Sequence, residues 1–176
     1  MKPASYEVAV FIIVVIISLL ALISYSRSLR RTELRFHAAF HHLEKDHSLT
    51  INQKEVCHDS LIGYDENNRT VILLQKAPTG YSSRVFHLTQ VKNCSVSFSY
   101  YSDSLVKLGE NERLAENDIS EIILQIEFNV ECTPDISIRF YNEKINKPHE
   151  IPEIETRAFH WQHLIMYNRF RPFAVN

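Results

Sequence analysis

The chain has 176 residues, 19 basic and 21 acidic, and 45% of it is apolar; three Gly, six Pro and three Cys make it neither a low-complexity chain nor a disulfide framework. Charge is uneven, with five basic and two acidic residues in 1–35, and 14 basic against 19 acidic in 36–176. An acidic distal part excludes nucleic acid as a partner and gives no broad footing on anionic lipid, since both need clustered Lys and Arg.

The first element is the uncharged run VAVFIIVVIISLLALISY, with Val8, Phe11, Ile12, Val15, Leu19, Leu22 and Tyr25 as its apolar positions. A bilayer core of ~30 Å needs roughly 20 helical residues, so the run is read as a single transmembrane helix whose partner is the lipid bilayer. A cleaved signal peptide has a shorter apolar core and a more basic start, and a core helix apolar on all sides would need more cover than the rest of the chain offers. Arg27, Arg30, Arg31 and Arg35 follow the run against Glu33 alone, and by the positive-inside rule they act as the topology signal that puts the carboxyl side in the cytoplasm. The expected location is therefore the inner membrane, single-pass, with a cytoplasmic domain in which Cys57, Cys94 and Cys132 are free thiols.

A helical pattern continues from Arg27 to His47 through Leu29, Phe36, Ala39, Phe40 and Leu43, and predicts a stalk helix able to pack on the domain or to self-associate. His37 and His41 share a face of it at i, i+4, but no third ligand stands at matched spacing, so the histidines read as a solvated face and not as a metal site. From Leu49 the period changes. Ile51–Cys57 is a candidate strand, and Leu61–Tyr64 and Val71–Leu74 flank the turn-rich Asp65-Glu66-Asn67-Asn68 as a hairpin. Lys76–Ser83, with Pro78 and Gly80, reads as a loop before a strand at Arg84–Leu88.

Cys94–Tyr101 alternates Val96, Phe98 and Tyr100 with Ser95, Ser97 and Ser99, the pattern of a half-buried strand. Ser102–Asp118 reads as a long polar loop. Ile122, Leu124, Ile126 and Phe128, then Ile136, Ile138 and Phe140, alternate with polar positions on either side of the turn at Thr133-Pro134. The last element is an amphipathic helix with the stripe Ile154, Ala158, Trp161 and Ile165, in which Trp161 is the structural anchor on the sheet. Pro152 falls in its first turn, where a missing amide costs little.

Seven strands closed by one helix resemble the pleckstrin-homology-like (PH-like) domain, on the segments IGYDENNRTVILL, RVFHLTQVKNCSVSF, EIILQIEF, ISIRFYN and IPEIETRAFHWQHLI. The resemblance implies an α+β fold: a transmembrane anchor (1–27), a stalk helix (28–48), a seven-stranded antiparallel barrel or sandwich with its closing helix (49–168), and a tail (169–176). It implies a scaffold that binds a protein partner by a strand edge or by the closing helix. It brings no phosphoinositide site, because Asp65 and Glu66 stand in the hairpin where that family carries a basic cluster.

No catalytic, cofactor or metal constellation is read in the chain. Cys57-His58-Asp59 are sequence neighbours whose side chains alternate in direction along a strand, which sets them poorly for a relay, and His87 with Cys94 is no better defined. The expected function is protein interaction or assembly at the membrane. The tail Arg169-Phe170-Arg171-Pro172-Phe173 is a candidate docking surface. A pilin-like or secretion-system component with an extracytoplasmic β domain is the alternative.

Overall fold

The computed structural model describes residues 11, 15–20, 33–100, 119–129 and 133–169. Two units, 1–43 and 44–176, divide the chain and are treated separately.

In the first unit, residues 11 and 15–20 are helical, and Phe11, Val15 and Leu19 are exposed. The transmembrane anchor is not carried by the structure: among the described residues no helix is long and apolar enough to cross a membrane. The single-pass inner-membrane location, with its cytoplasmic carboxyl side, falls with the anchor. Val8, Ile12, Leu22, Tyr25, Arg27, Arg30 and Arg31 lie outside the described residues, and Arg35 is an exposed residue of a helix, α1 (33–46), in which Phe36 and Phe40 are buried. Its end is well made. Ser48 takes a left-handed φ of 51°, its amide bonds the Lys45 carbonyl at 3.0 Å, and the Leu49 amide bonds the Glu44 carbonyl at 2.9 Å, the paired closure of a Schellman motif.

The second unit is built from two antiparallel sheets. The first runs in the order β1 (Gln53–Cys57), β2 (Ser60–Asp65), β3 (Thr70–Ala77), β4 (Gly80–His87), and the second β5 (Val91–Tyr100), β6 (Ile119–Phe128), β7 (Ile136–Asn142). Helix α2 (Ile151–Arg169) follows. The expected seven-stranded PH-like barrel or sandwich is thereby corrected to an open sandwich of a four-stranded and a three-stranded sheet. Closure requires the hydrogen-bond ladder to continue from strand to strand, but the chain leaves β4 through a one-turn 3-10 segment, Leu88–Gln90, and enters a separate sheet.

One core joins the sheets and the helix. Ile62, Leu73 and Phe86 from the first sheet meet Leu124, Ile126 and Ile138 from the second, and Ile154, Ala158, Trp161 and Ile165 of α2 complete it. Leu61, Ile72 and Leu74, on the opposite face of the first sheet, are buried as well. Burial on both faces is the reason Leu61-Ile62 and Val71–Leu74 are continuous apolar runs with no polar alternation.

Bulges set which side chains reach this core. In β7, Ile123 pairs with Arg139 and Ile122 with Tyr141, leaving Phe140 as an extra residue. The pleat shifts by one, so Phe140 and Tyr141 are both buried although simple alternation puts Tyr141 on the polar face. Lys92 is the extra residue of β5, between Val91↔Phe128 and Asn93↔Glu127, and it lets Val91 and Cys94 both point inward.

The segment read as a loop over Lys76–Ser83 is a hairpin. Ala77 pairs with Gly80 across Pro78-Thr79, where proline sets the φ of a first turn position and Gly80 takes a φ of 137° that side chains resist. The long loop predicted over Ser102–Asp118 lies outside the described residues, as do tail residues 170–176.

Candidate functional site

A sheet in two open pieces has four outer edges, each a row of backbone donors and acceptors that must be paired, covered or left to water. Along the Val91–Cys94 part of β5, helix α2 does the covering. Gln162 Nε2 donates to the Cys94 carbonyl at 3.1 Å, and Arg169 Nη1 donates to the Val91 carbonyl at 3.1 Å and to that of Lys92. At the opposite seam β1 lies beside β7. There Arg157 of α2 pairs with Glu55 at 3.1 Å, His160 bonds Gln53 at 3.0 Å, and Gln75 Nε2 donates to the β7 carbonyl of Ser137 at 3.2 Å.

The remaining edge, β4, is open among the described residues. Its outward groups follow from hairpin parity. The pair closing a two-residue turn exchanges hydrogen bonds and every second pair after it does the same, which gives Ala77/Gly80, Gln75/Ser82, Leu73/Arg84 and Val71/Phe86. The Leu88 amide bonds the Arg69 carbonyl at 2.9 Å, two residues further with the same parity. Tyr81, Ser83, Val85 and His87 therefore direct their amides and carbonyls away from β3. The His87 amide is taken by Gln90 Oε1 at 3.1 Å. Ser83 and Val85 keep theirs directed outward, and among the described residues no strand pairs with them.

Side chains alternate above and below this edge. Val85 and His87 border a shallow depression of about 720 Å³ shared with His47, Leu49, Asn67 and Thr70. On the other side, Arg84 and Phe86 border a notch of about 360 Å³ that Val85, Gln90, Phe128, Thr133 and Pro134 also line. Phe86 and Phe128 meet edge to face at 5.1 Å, and Arg84 Nη1 donates to the Pro134 carbonyl at 2.7 Å. An open edge between two alternating recesses has the form needed to accept an extended segment, with main-chain bonds for affinity and recesses for selectivity.

Side chains close the two turns at the His87 end of this edge. Asp65 closes the β2–β3 turn: its buried carboxylate accepts the Thr50 amide at 2.7 Å, the Asn68 amide at 2.9 Å and Asn68 Nδ2 at 2.8 Å. Burial alone raises such a carboxyl, but the donors of Asn68, Thr50 and Asn67 outweigh it and hold Asp65 below the usual carboxylate range. Arg69 follows with a φ of 48°. At the same end His87 Nδ1 accepts the Thr89 amide at 3.3 Å and lies 2.7 Å from Thr89 Oγ1, capping the turn that carries the chain out of β4.

The structure does not bring together the residues the sequence offered for chemistry. The Cys57 thiol points into the core and burial pushes it up; exposed His58 sits in the β1–β2 turn with a φ of 31°. Asp59 Oδ1 accepts the Ser60 hydroxyl at 3.1 Å. Cys94 is buried under α2 and burial pushes its thiol up to about 12, while His87 serves its turn. Among the described residues no group of three His, Cys, Asp or Glu is set to hold a metal ion. Trp161 is 2% exposed and anchors α2. Arg169, read as the start of a docking tail, closes the β5 edge. The β4 edge itself escaped the sequence reading because Pro78 and Gly80 suggested a loop; the signal that could have found it is the two-residue spacing Ala77-Pro-Thr-Gly80. Comparison with protein-family models, curated proteins and solved structures gives no match to this chain.

Proposed function

We propose that residues 44–169 form a protein-interaction module that receives an extended segment of a partner on the β4 edge. One observation carries the reading: α2 and β7 occupy the flanks of β5 and β1, whereas Ser83 and Val85 present backbone that nothing among the described residues pairs, beside two recesses. Natural sheets protect an edge that has no use, and this domain protects the edge of β5 with two long side chains.

The test is selection of displayed random peptides on the full chain, followed by amide hydrogen exchange. Enriched peptides are expected to slow exchange at Ser83 and Val85 and to lose binding to the Ser83→Pro variant, whose ring removes an outward donor and blocks the edge. Peptides that protect α2 or the polar face of the second sheet instead would overturn the proposal.

A further inference from the structure

The chemistry around β4 specifies the incoming segment further, an inference that rests on the edge reading above. Arg84 and Phe86 point to the same side of β4, toward the notch with Phe128 and Pro134. Their own backbone groups are spent on β3, so on the free edge each stands at a non-hydrogen-bonded position. At such positions side chains of facing antiparallel strands come closest, with Cα atoms ~4.5 Å apart. Whatever residue faces Phe86 enters an apolar notch, and whatever residue faces Arg84 meets a guanidinium.

That guanidinium is under-used. Arg84 is half-buried, spends Nη1 on the Pro134 carbonyl, and forms no ion pair among the described residues. Five donors in a planar fork leave room for a carboxylate. Among the described residues neither recess is lined by an Asp or Glu, although the domain as a whole is acidic. Carboxylates begin past Pro134, at Glu127 and Asp135, where Lys92 is also found.

We infer that the β4 edge selects an antiparallel segment of the pattern apolar-x-acidic, the apolar side chain seated in the Phe86–Phe128–Pro134 notch and the carboxylate on Arg84. The order follows from direction: an antiparallel strand passes Phe86 before it reaches Arg84.

The experiment measures binding of three capped, fluorescently labelled peptides to the full chain by anisotropy, with Leu-Thr-Glu, Leu-Thr-Lys or Ala-Thr-Glu at the centre of a Thr-rich strand. The Glu peptide is expected to bind at least about fivefold more tightly than either other peptide, and the Arg84→Glu variant to reverse the Glu-over-Lys preference. Because the reversal compares two peptides on one variant, it does not depend on that variant's stability. Equal binding of the Glu and Lys peptides overturns the acidic selection while leaving the edge reading in place. No binding of any peptide, with Ser83 and Val85 exchanging as in the free chain, overturns both. Concentration-dependent dimerisation that buries these amides would make a second copy the occupant and would also overturn the inference.

Discussion

Replacing Asp65 with Ala tests whether the turn at one end of β4's sheet is held by a single carboxylate. The side chain is 0% exposed and receives three bonds, at 2.7, 2.8 and 2.9 Å, from Thr50 and Asn68. Hydrogen bonds to a charged group contribute ~1.5–3 kcal/mol each, more when the abandoned partner has no access to water. The Asn68 donors sit on an exposed turn and can turn to solvent, so the full loss falls mainly on the Thr50 contact, and the expected cost is about 3 kcal/mol. In a unit of this size that lowers Tm by ~10 °C.

The pH dependence has a definite sign. A folded-state pKa below the unfolded value stabilises fully above the unfolded value, ~3.9, and that stability is lost as pH falls through the lower folded value. The gap between wild type and Asp65→Ala in thermal or urea unfolding is therefore largest at neutral pH and narrows below about pH 4. A variant within ~1 kcal/mol of wild type at pH 7, or a gap that stays constant down to pH 3, would refute the account.

Trp161→Ala removes the largest buried side chain of α2 and is expected to cost ~3–5 kcal/mol by urea unfolding; a loss under ~1 kcal/mol would mean that the helix is held elsewhere. The double variant Gln162→Ala, Arg169→Ala strips the donors from the β5 carbonyls, and the predicted outcome is ~1–3 kcal/mol lower stability with concentration-dependent association by light scattering. Monomeric behaviour unchanged from wild type would argue against edge protection. At Ser48, with a φ of 51°, Ser→Gly relieves a left-handed side chain and should raise stability by ~0.5–1 kcal/mol, whereas a destabilised variant would contradict the helix-end geometry. With Cys132 replaced by Ser, Cys57 and Cys94 should alkylate slowly at pH 8 in the folded protein and rapidly in denaturant, because burial keeps both as thiols. Fast labelling of the folded form would show that one of them is accessible.

Period and turn chemistry were enough to locate much of the second unit. Alternation in Cys94–Tyr101 and around Ile122–Phe128, and the 3–4 spacing through Trp161, are local signals, since each side chain's face is set by its own strand or helix. Asp65-Glu66-Asn67-Asn68 marked a turn for the same reason. The sequence could not show that Asp65 is the buried centre of that turn, because its donor from Thr50 comes from 15 residues away. The apolar run from Val8 to Tyr25 matched the length of a span, but among the described residues no helix crosses.

What the sequence by itself determined is the existence and inward face of the elements that depend on neighbours along the chain. What tertiary structure alone decided is closure and access. Two sheets stop short of a barrel because their ladders end at β4 and β5, bulges at Lys92 and Phe140 reset which residues are buried, and Arg169 covers the start of the β5 edge from 77 residues away while β4 stays open among the described residues. Whether an edge is covered depends on which distant side chains fold against it, and no local pattern of residues carries that information.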